Sequence, residues 1–421
     1  MKIAVQTSLP AFQNDIGDVV RLFYGEGAAV EETQQADARL THIHEEADGE
    51  WRETFVLTDC SGRTEQNTLS APAVSGGLEE KRQKKRLIKR CCYMLFKRLS
   101  GRQPAWGSLT GIRPTRLYYQ QLENGKTRGE ARRTLQDLFD LSQEKIDLLD
   151  EILDAQQGLM DRRARACDVY IGIPFCTTRC AYCSFSSGEI GDGRLVEPYL
   201  AALLHEIEAC AEMAREMGLH IRVGYIGGGT PSSLTTPQLD RLLAHVERHF
   251  GALAEFTVEA GRPDTLDAQK LRMIHDHPVT RISINPQTMN DATLTRIGRA
   301  HTAKQTVEAY ELARSIGFDD INMDVIAALP GEDYAMFAHT LAEIRRLRPE
   351  SLTVHTLAIK RSSRLHEEKY AQAEQDVARM VALGRQTAHD MGMRAYYLYR
   401  QKYMAENLEN VGYALPGRFC R

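Results

Sequence analysis

The stretch IGIPFCTTRCAYCSF, residues 171–185, sets Cys176, Cys180 and Cys183 in C-x3-C-x2-C spacing just after an apolar run that Pro174 interrupts. An apolar run ended by proline reads as a strand passing into a loop, which puts the thiols at a strand end. From here onward the same texture repeats. Strands are expected at 169–173, 221–226, 256–260, 281–285, 320–326 and 351–357, with a seventh at 394–399. Helices are expected at 197–216, 236–250, 266–276, 302–316, 334–347 and 373–391. Strands alternating with helices imply a parallel sheet, doubly wound or closed as a barrel. Six units within residues 168–361 favour an α/β fold of partial (β/α)6 barrel type.

Residues 1–160 read as an accessory α+β and helical domain. KIAVQT and ETFVLTDCSG have strand patterns, DIGDVVRLFYGEG suits a short helix, and the polar VEETQQADAR between them reads as loop. KRQKKRLIKRCCYMLFKR, residues 81–98, has Leu87, Cys91, Met94 and Leu95 at helical spacing on a strongly basic segment. It is either a solvated basic face or a surface for RNA or another anionic partner.

Charge narrows the function classes. A net charge of −4 and a pI near 6.4 argue against a general nucleic-acid or anionic-membrane binder. Apolar runs fall short of the roughly 18 residues a membrane span needs, and MKIAVQTSLPAF lacks the charged and apolar regions of a signal peptide. Nine cysteines, an odd number in a long chain, fit reduced thiols in a cytoplasm better than a secreted disulfide framework.

The candidate site residues converge by position. In a (β/α) barrel, reacting groups gather where strands end. The cysteines follow the first strand and GGGTP, residues 227–231, follows the second. Glu259 ends the third, Gln287 follows the fourth, Asp324 lies in the fifth and Ala358 follows the sixth. Thiolates bind zinc or iron–sulfur clusters, and a structural zinc site normally takes four ligands. Three from one loop suit a 4Fe–4S cube with one iron left for an outside ligand; zinc and unrelated buried thiols are the competing readings. Glycines let a small molecule approach the main chain, although a plain turn would use them too. Glu259, Gln287, Arg299 and Asp324 could bind an amine, a carboxylate and ribose hydroxyls, with Arg299 the natural carboxylate partner. Each of them alone is more commonly a surface or structural polar residue than a ligand contact.

The constellation resembles the radical S-adenosylmethionine (SAM) superfamily, and within it the anaerobic (oxygen-independent) coproporphyrinogen III dehydrogenase group and its heme-chaperone relatives. The resemblance rests on YIGIPFCTTRCAYCSF, YIGGGTPSSL, TVEAGRPDT, RISINPQTMND, RIGRAHT, INMDVIAALPGE and LTVHTLAIKRSS, in uninterrupted order over residues 170–361. WGSLTGIRPTR and RQKYMAENLENVGYA point further to the HemZ-type branch, which carries an extra N-terminal domain.

Matched by position, the resemblance implies that Cys176, Cys180 and Cys183 hold a 4Fe–4S cluster whose open iron takes the SAM amine and carboxylate. Tyr170, the candidate catalytic side chain, would lie against the sulfonium. Gly228, Gly229 and Thr230 would line the methionyl end, and Glu259 would contact this first SAM. Gln287, Arg299, Asp324 and Ala358 match positions that hold a second SAM. The implied reaction turns two propionates of coproporphyrinogen III, or a related tetrapyrrole, into vinyl groups, fed by an electron donor such as flavodoxin or ferredoxin. A heme chaperone and an RNA- or cofactor-modifying radical SAM enzyme are the alternatives. Gly172 stands where the group usually has histidine. Phe185 stands where the best-known dehydrogenases have a fourth cysteine, an absence shared with the heme chaperones. Residues 362–421 read as the start of a C-terminal region cut short relative to the group.

Overall fold

The computed structural model describes all residues except 26, 31–35, 112, 160–164, 371–375, 402 and 403. Part of the expected loop VEETQQADAR and the start of the expected helix 373–391 lie outside the described residues. The chain divides into two units: Met1–Asp150 with Arg400–Leu408, and Glu151–Tyr399 with Glu409–Arg421.

The first unit holds β1 (Ile3–Thr7), α1 (Gln13–Tyr24), β2 (Ala29–Val30), β3 (Ala38–Ala47), β4 (Glu50–Asp59), β5 (Thr64–Pro72) and α2 (Gly77–Ser100). After these come α3 (Pro114–Glu123), α4 (Arg128–Phe139) and α5 (Gln143–Ala155), the last crossing the unit boundary. The sheet order is β2-β1-β3-β4-β5. Asp48 and Gly49, both at positive φ, close the β3–β4 hairpin, since a two-residue turn of matching twist needs that conformation. Ile16, Val19 and Val20 of α1 and Ile88, Cys92, Leu95 and Phe96 of α2 bury against Ile3, Val5, Leu40 and Phe55 of the sheet. The expected basic helix is therefore present, although Met94 faces outward. Much of its charge is engaged within the unit: Lys85 pairs with Asp15 at 2.6 Å and Lys97 with Asp140 at 2.6 Å, while Lys89 is buried against Thr110.

The second unit opens with β6 (Ala166–Ile173), β7 (Phe175–Cys176), β8 (Gly188–Glu189) and α6 (Val196–Glu216), then β9 (His220–Gly228) and α7 (Thr236–Phe250). It continues through β10 (Glu255–Glu259), α8 (Ala268–Asp276), β11 (Arg281–Ser283), α9 (Asp291–Arg296), α10 (Ala303–Ile316), β12 (Ile321–Ala327) and α11 (Tyr334–Leu347). It ends with β13 (Ser351–Thr356), α12 (Arg364–Glu367), α13 (Val377–Asp390), β14 (Arg394–Tyr399) and β15 (Asn410–Ala414). Among the described residues the large sheet has eight strands in the order β14-β15-β13-β12-β11-β10-β9-β6. From β6 to β13 every pairing is parallel, giving the expected six-unit α/β partial barrel. The expected seventh strand is β14, but it joins through β15, and β15 is antiparallel to both of its neighbours.

Local chemistry explains the repeat. In α7, Leu239, Leu242, Leu243 and Val246 form one buried stripe. Thr235 and Gln238 close a capping box at its start, and Gly251 ends it at φ 72°. Thr302 with Gln305, and Asp333 with the Met336 amide, start α10 and α11 in the same manner. β12 buries Ile321, Met323, Val325, Ile326 and Ala327, a near-continuous apolar run of the kind a parallel strand covered on both faces requires. Among the described residues, no helix is long and apolar enough to cross a membrane.

Candidate functional site

The cysteine loop leaves the sheet at the end of β6 and is closed at its base by the short β7–β8 pairing. There the Gly188 amide donates to the Pro174 carbonyl at 2.9 Å and the Ile190 amide to the Cys176 carbonyl at 2.8 Å. Three other loops grip it. The Ala181 amide donates to the Ile297 carbonyl at 2.9 Å, and the Thr178 hydroxyl to the Gly298 carbonyl at 2.8 Å. Arg262, held bidentately by Asp264, reaches the Thr178 hydroxyl at 3.0 Å. From beyond β13, Arg179 donates to the Ser362 carbonyl at 2.6 Å, and the Leu365 amide to the Ala181 carbonyl at 3.0 Å.

The glycine loop after β9 is locked to the same segment. The Gly229 amide donates to the Ile173 carbonyl at 2.7 Å and the Thr230 amide to the Phe175 carbonyl at 2.7 Å. A Cβ on Gly229 would stand 2.6 Å from the Phe175 oxygen and 3.0 Å from Cys176 Sγ. One on Gly227 would stand 2.9 Å from the Glu259 carboxyl carbon. Gly229 therefore lets the chain after β9 lie against the cysteine loop, and Gly227 leaves room for the Glu259 carboxyl, jobs beyond the ligand approach that sequence alone suggests.

Two clusters flank this junction. In the first, Tyr170 is 62% exposed and stacks on Tyr225 with ring centroids 5.7 Å apart. The Tyr225 hydroxyl donates to Glu259 at 2.7 Å. Burial, reinforced by the nearby Asp324 charge, raises the Glu259 carboxyl from 4.5 to about 7, although bonds from Tyr225 and the Gly228 amide oppose the rise. At Asp324 burial also pushes upward, but His355, Asn322 and Thr353 outweigh it and hold the group below its ordinary value. The two carboxyls are thus driven apart, one toward its protonated form and the other firmly ionised. Gln287 adopts φ 66°, unusual for a side-chain-bearing residue. Strand pairing imposes it: the Gln287 amide donates to the Asp324 carbonyl at 2.9 Å, and the Gln287 carbonyl accepts from the Ile326 amide at 3.0 Å.

In the second cluster Arg299 lies beside the cysteines rather than beside Glu259 and Asp324. Its guanidinium donates to the Tyr182 hydroxyl at 3.2 Å and to the carbonyls of Gly261 and Asn285 at 3.3 and 3.4 Å. Burial would favour losing the proton, but Tyr182, Cys180 and Asp264 hold it charged. Burial raises the Cys183 thiol, and the neighbouring Cys180 and Cys176 add to the rise. Ala358 follows β13 at the same end of the sheet. Tyr182, Tyr225 and His355 carry no separate signal in the sequence: each lies within a longer motif, and only the fold shows which charged group it faces.

The donor set fits a cluster and a polar ligand. Cys176, Cys180 and Cys183 share one loop, and the first two lie close enough to Cys183 to raise its thiol. Three thiolates from one loop leave a fourth position open, as a 4Fe–4S cube with an outside ligand on one iron requires. Arg299 Nε, near Cys180, is buried without a hydrogen-bond partner among the described residues, and so is Oδ1 of Asn285, whose main-chain carbonyl accepts from Arg299. Polar atoms left unmatched in this way call for a ligand that supplies their partners.

Because the folded chain holds a proton on Glu259 that the unfolded chain has released above about pH 4.5, its contribution to stability is full below that pH. It is lost as pH rises through about 7. Ligand-free protein should lose up to about 3 kcal/mol over this window through Glu259. Urea denaturation at several pH values should show this slope in the wild type and a flatter one in Glu259→Gln; equal slopes would remove the assignment.

Comparison with known proteins agrees with this geometry. The Radical SAM superfamily matches residues 170–344. The oxygen-independent coproporphyrinogen-III oxidase-like protein HemZ of Bacillus subtilis (strain 168) is 38% identical over 396 residues, 88% of this chain and 79% of that protein. The heme chaperone HemW of the same organism is 37% identical over 193 residues, 45% of this chain and 50% of that one. Among solved structures, coproporphyrinogen III oxidase of Escherichia coli superposes with a TM-score of 0.51 at 24% identity, covering 60% of this chain and 56% of that one, a likeness of fold. The superfamily works with a 4Fe–4S cluster and SAM. With the three-cysteine loop seated at the strand ends and a HemZ-like sequence over most of its length, the chain belongs to the radical SAM superfamily, among the oxygen-independent coproporphyrinogen-III oxidase-like proteins.

Proposed function

We propose that the protein is an oxygen-independent coproporphyrinogen III dehydrogenase that converts two propionates to vinyl groups and yields protoporphyrinogen IX. The observation that carries this reading is the cysteine loop locked to the glycine loop beside a buried, incompletely bonded Arg299. Cys176, Cys180 and Cys183 would hold the 4Fe–4S cluster. When bound, cluster and SAM supply a 5′-deoxyadenosyl radical that takes a hydrogen atom from the propionate β-carbon. The substrate radical then loses CO2 and passes one further electron to an external one-electron acceptor, leaving the vinyl group.

The chain's own residues bind and orient. Arg299 offers its unpaired Nε–H to a carboxylate, and a carboxylate there would partner the guanidinium charge. Tyr170 presents its exposed face, backed by Tyr225, to the sulfonium side, where an aromatic ring attracts a cation. Gly228, Gly229 and Thr230 form the wall of the methionyl end, and Glu259 accepts from the first SAM. Gln287, Asp324, Arg299 and Ala358 are the proposed positions for a second SAM. Flavodoxin or ferredoxin is the proposed electron donor, and the cytoplasm the proposed location.

Heme transfer is the second reading, favoured by Phe185 in place of a further cysteine and by the likeness of the core to the heme chaperone. Space is not the reason for glycine at 172, since a Cβ there would meet only Tyr170 Cε1 at 3.6 Å. Anaerobic incubation of the reconstituted protein with reductant, SAM and coproporphyrinogen III, read by mass spectrometry, separates the two. Divinyl product without stable heme retention is expected. Stable heme uptake with untouched propionates would transfer the assignment to heme handling.

A further inference from the structure

Away from the strand-end site, α6 and α7 share a cluster that the proposed chemistry does not use. α7 carries His245 and His249 four residues apart, hence on one helix face. α6 supplies Glu208, whose Oε1 lies 3.8 Å from His245 Nε2 and 3.6 Å from His249 Nε2. One ligand atom from each of the three residues falls within 4.8 Å of the others. The two imidazole centroids are 4.3 Å apart. His205, one turn earlier on α6, places Nδ1 4.0 Å from the other Glu208 oxygen.

The spacings decide between a hydrogen-bonded cluster and a cation site. At 3.6 and 3.8 Å, the nitrogen–oxygen separations exceed the ~2.7–3.2 Å of a hydrogen bond. They approach the ~3.4 Å that separates two ligands of one tetrahedral ion with bonds of ~2.0–2.1 Å. His245 Nε2 donates to the Leu204 carbonyl at 2.9 Å, which anchors that ring against α6; taking an ion exchanges this bond for a metal–nitrogen bond. Glu208 is half exposed, so the cluster is open to solvent. Two imidazoles and one carboxylate select borderline transition ions over magnesium or calcium, which prefer all-oxygen shells.

We propose that Glu208, His245 and His249 form a divalent transition-metal site that clamps α6 to α7, with Zn2+ the best-matched ion and His205 or water completing the shell. The clamp joins the helix after the cysteine loop to the helix after the glycine loop. It fastens the first two strand–helix units from outside and takes no part in the radical chemistry.

The test uses the full chain with its cluster reconstituted anaerobically, so that Cys176, Cys180 and Cys183 are not free to compete. Zn2+ is titrated calorimetrically into wild type, His249→Ala, Glu208→Gln and, as a control, His277→Ala. His277 sits on different carboxylates, those of Asp240 and Glu247. Wild type and His277→Ala should each bind about one Zn2+ that the two ligand variants bind at least about tenfold more weakly. Zn2+ should raise the melting temperature of the first pair and not the second. Both ligand variants alter half-exposed or partly exposed side chains, so their melting without zinc should stay near wild type. Equal zinc affinity in wild type and both ligand variants, or loss in His277→Ala instead, overturns the site.

Discussion

Replacing Cys180 with alanine is expected to abolish the visible absorption of the iron–sulfur cluster and to reduce SAM cleavage at least about a thousandfold. The expectation is specific because the loop itself should survive. Its shape depends on main-chain bonds, including the Cys183 amide to the Cys180 carbonyl at 3.1 Å and the Ala181 amide to the Ile297 carbonyl at 2.9 Å. Alanine keeps all of these and removes only a sulfur. Cys180 is buried, so truncation should cost about 1 kcal/mol of stability and leave circular dichroism unchanged. Iron content, SAM cleavage and melting temperature together check the assignment. Retained iron with normal cleavage would show that the ligand lies elsewhere.

Gly229→Ala is the second large effect, and it acts through space rather than through chemistry. The new Cβ would lie 2.6 Å from the Phe175 oxygen, 2.9 Å from the Ile173 oxygen and 3.0 Å from Cys176 Sγ. Both oxygens belong to main chain already pinned by the Gly229 and Thr230 amides, so neither can yield without losing its bond. Overpacking of this kind costs about 1–3 kcal/mol. The displaced Cys176 should also reduce cluster occupancy. Gly172→Ala is the matched control, because its Cβ meets nothing closer than 3.6 Å. The melting temperature should fall by a few degrees in the first variant and hardly move in the second. Equal melting and equal iron in both would mean that the two loops are not locked together.

These effects follow from features of unequal visibility in the sequence. The six strand–helix units were legible because buried parallel strands such as β12 are short apolar runs, and helices such as α7 carry both an apolar stripe and a capping box. The cysteine spacing and the order of Glu259, Gln287 and Asp324 along successive strands pointed to one end of the sheet as the candidate site. Other elements carry a weaker signal. β3 buries His42 where an apolar residue would mark the strand, and His42 and His44 both bond to Glu53 of β4, a pairing that hydropathy does not register. The Asp48–Gly49 turn was the available clue. β15 is five buried residues interrupted by Gly412, whose bare Cα lets the Tyr396 ring lie about 3.3 Å from where a Cβ would stand. Arg299 illustrates the limit most clearly. Its charge was visible as a carboxylate partner, but its place beside Tyr182 and Cys180 depends on the way four loops fold over one another.

The measurement that bears most directly on the proposed reaction is hydrogen transfer from labelled substrate. Coproporphyrinogen III carrying deuterium at the propionate β-carbons would be incubated anaerobically with the reconstituted protein, reductant and SAM. Deuterium recovered in 5′-deoxyadenosine, matched by vinyl product, is the predicted result. Unlabelled 5′-deoxyadenosine, formed by SAM cleavage while every propionate stays intact, would contradict it.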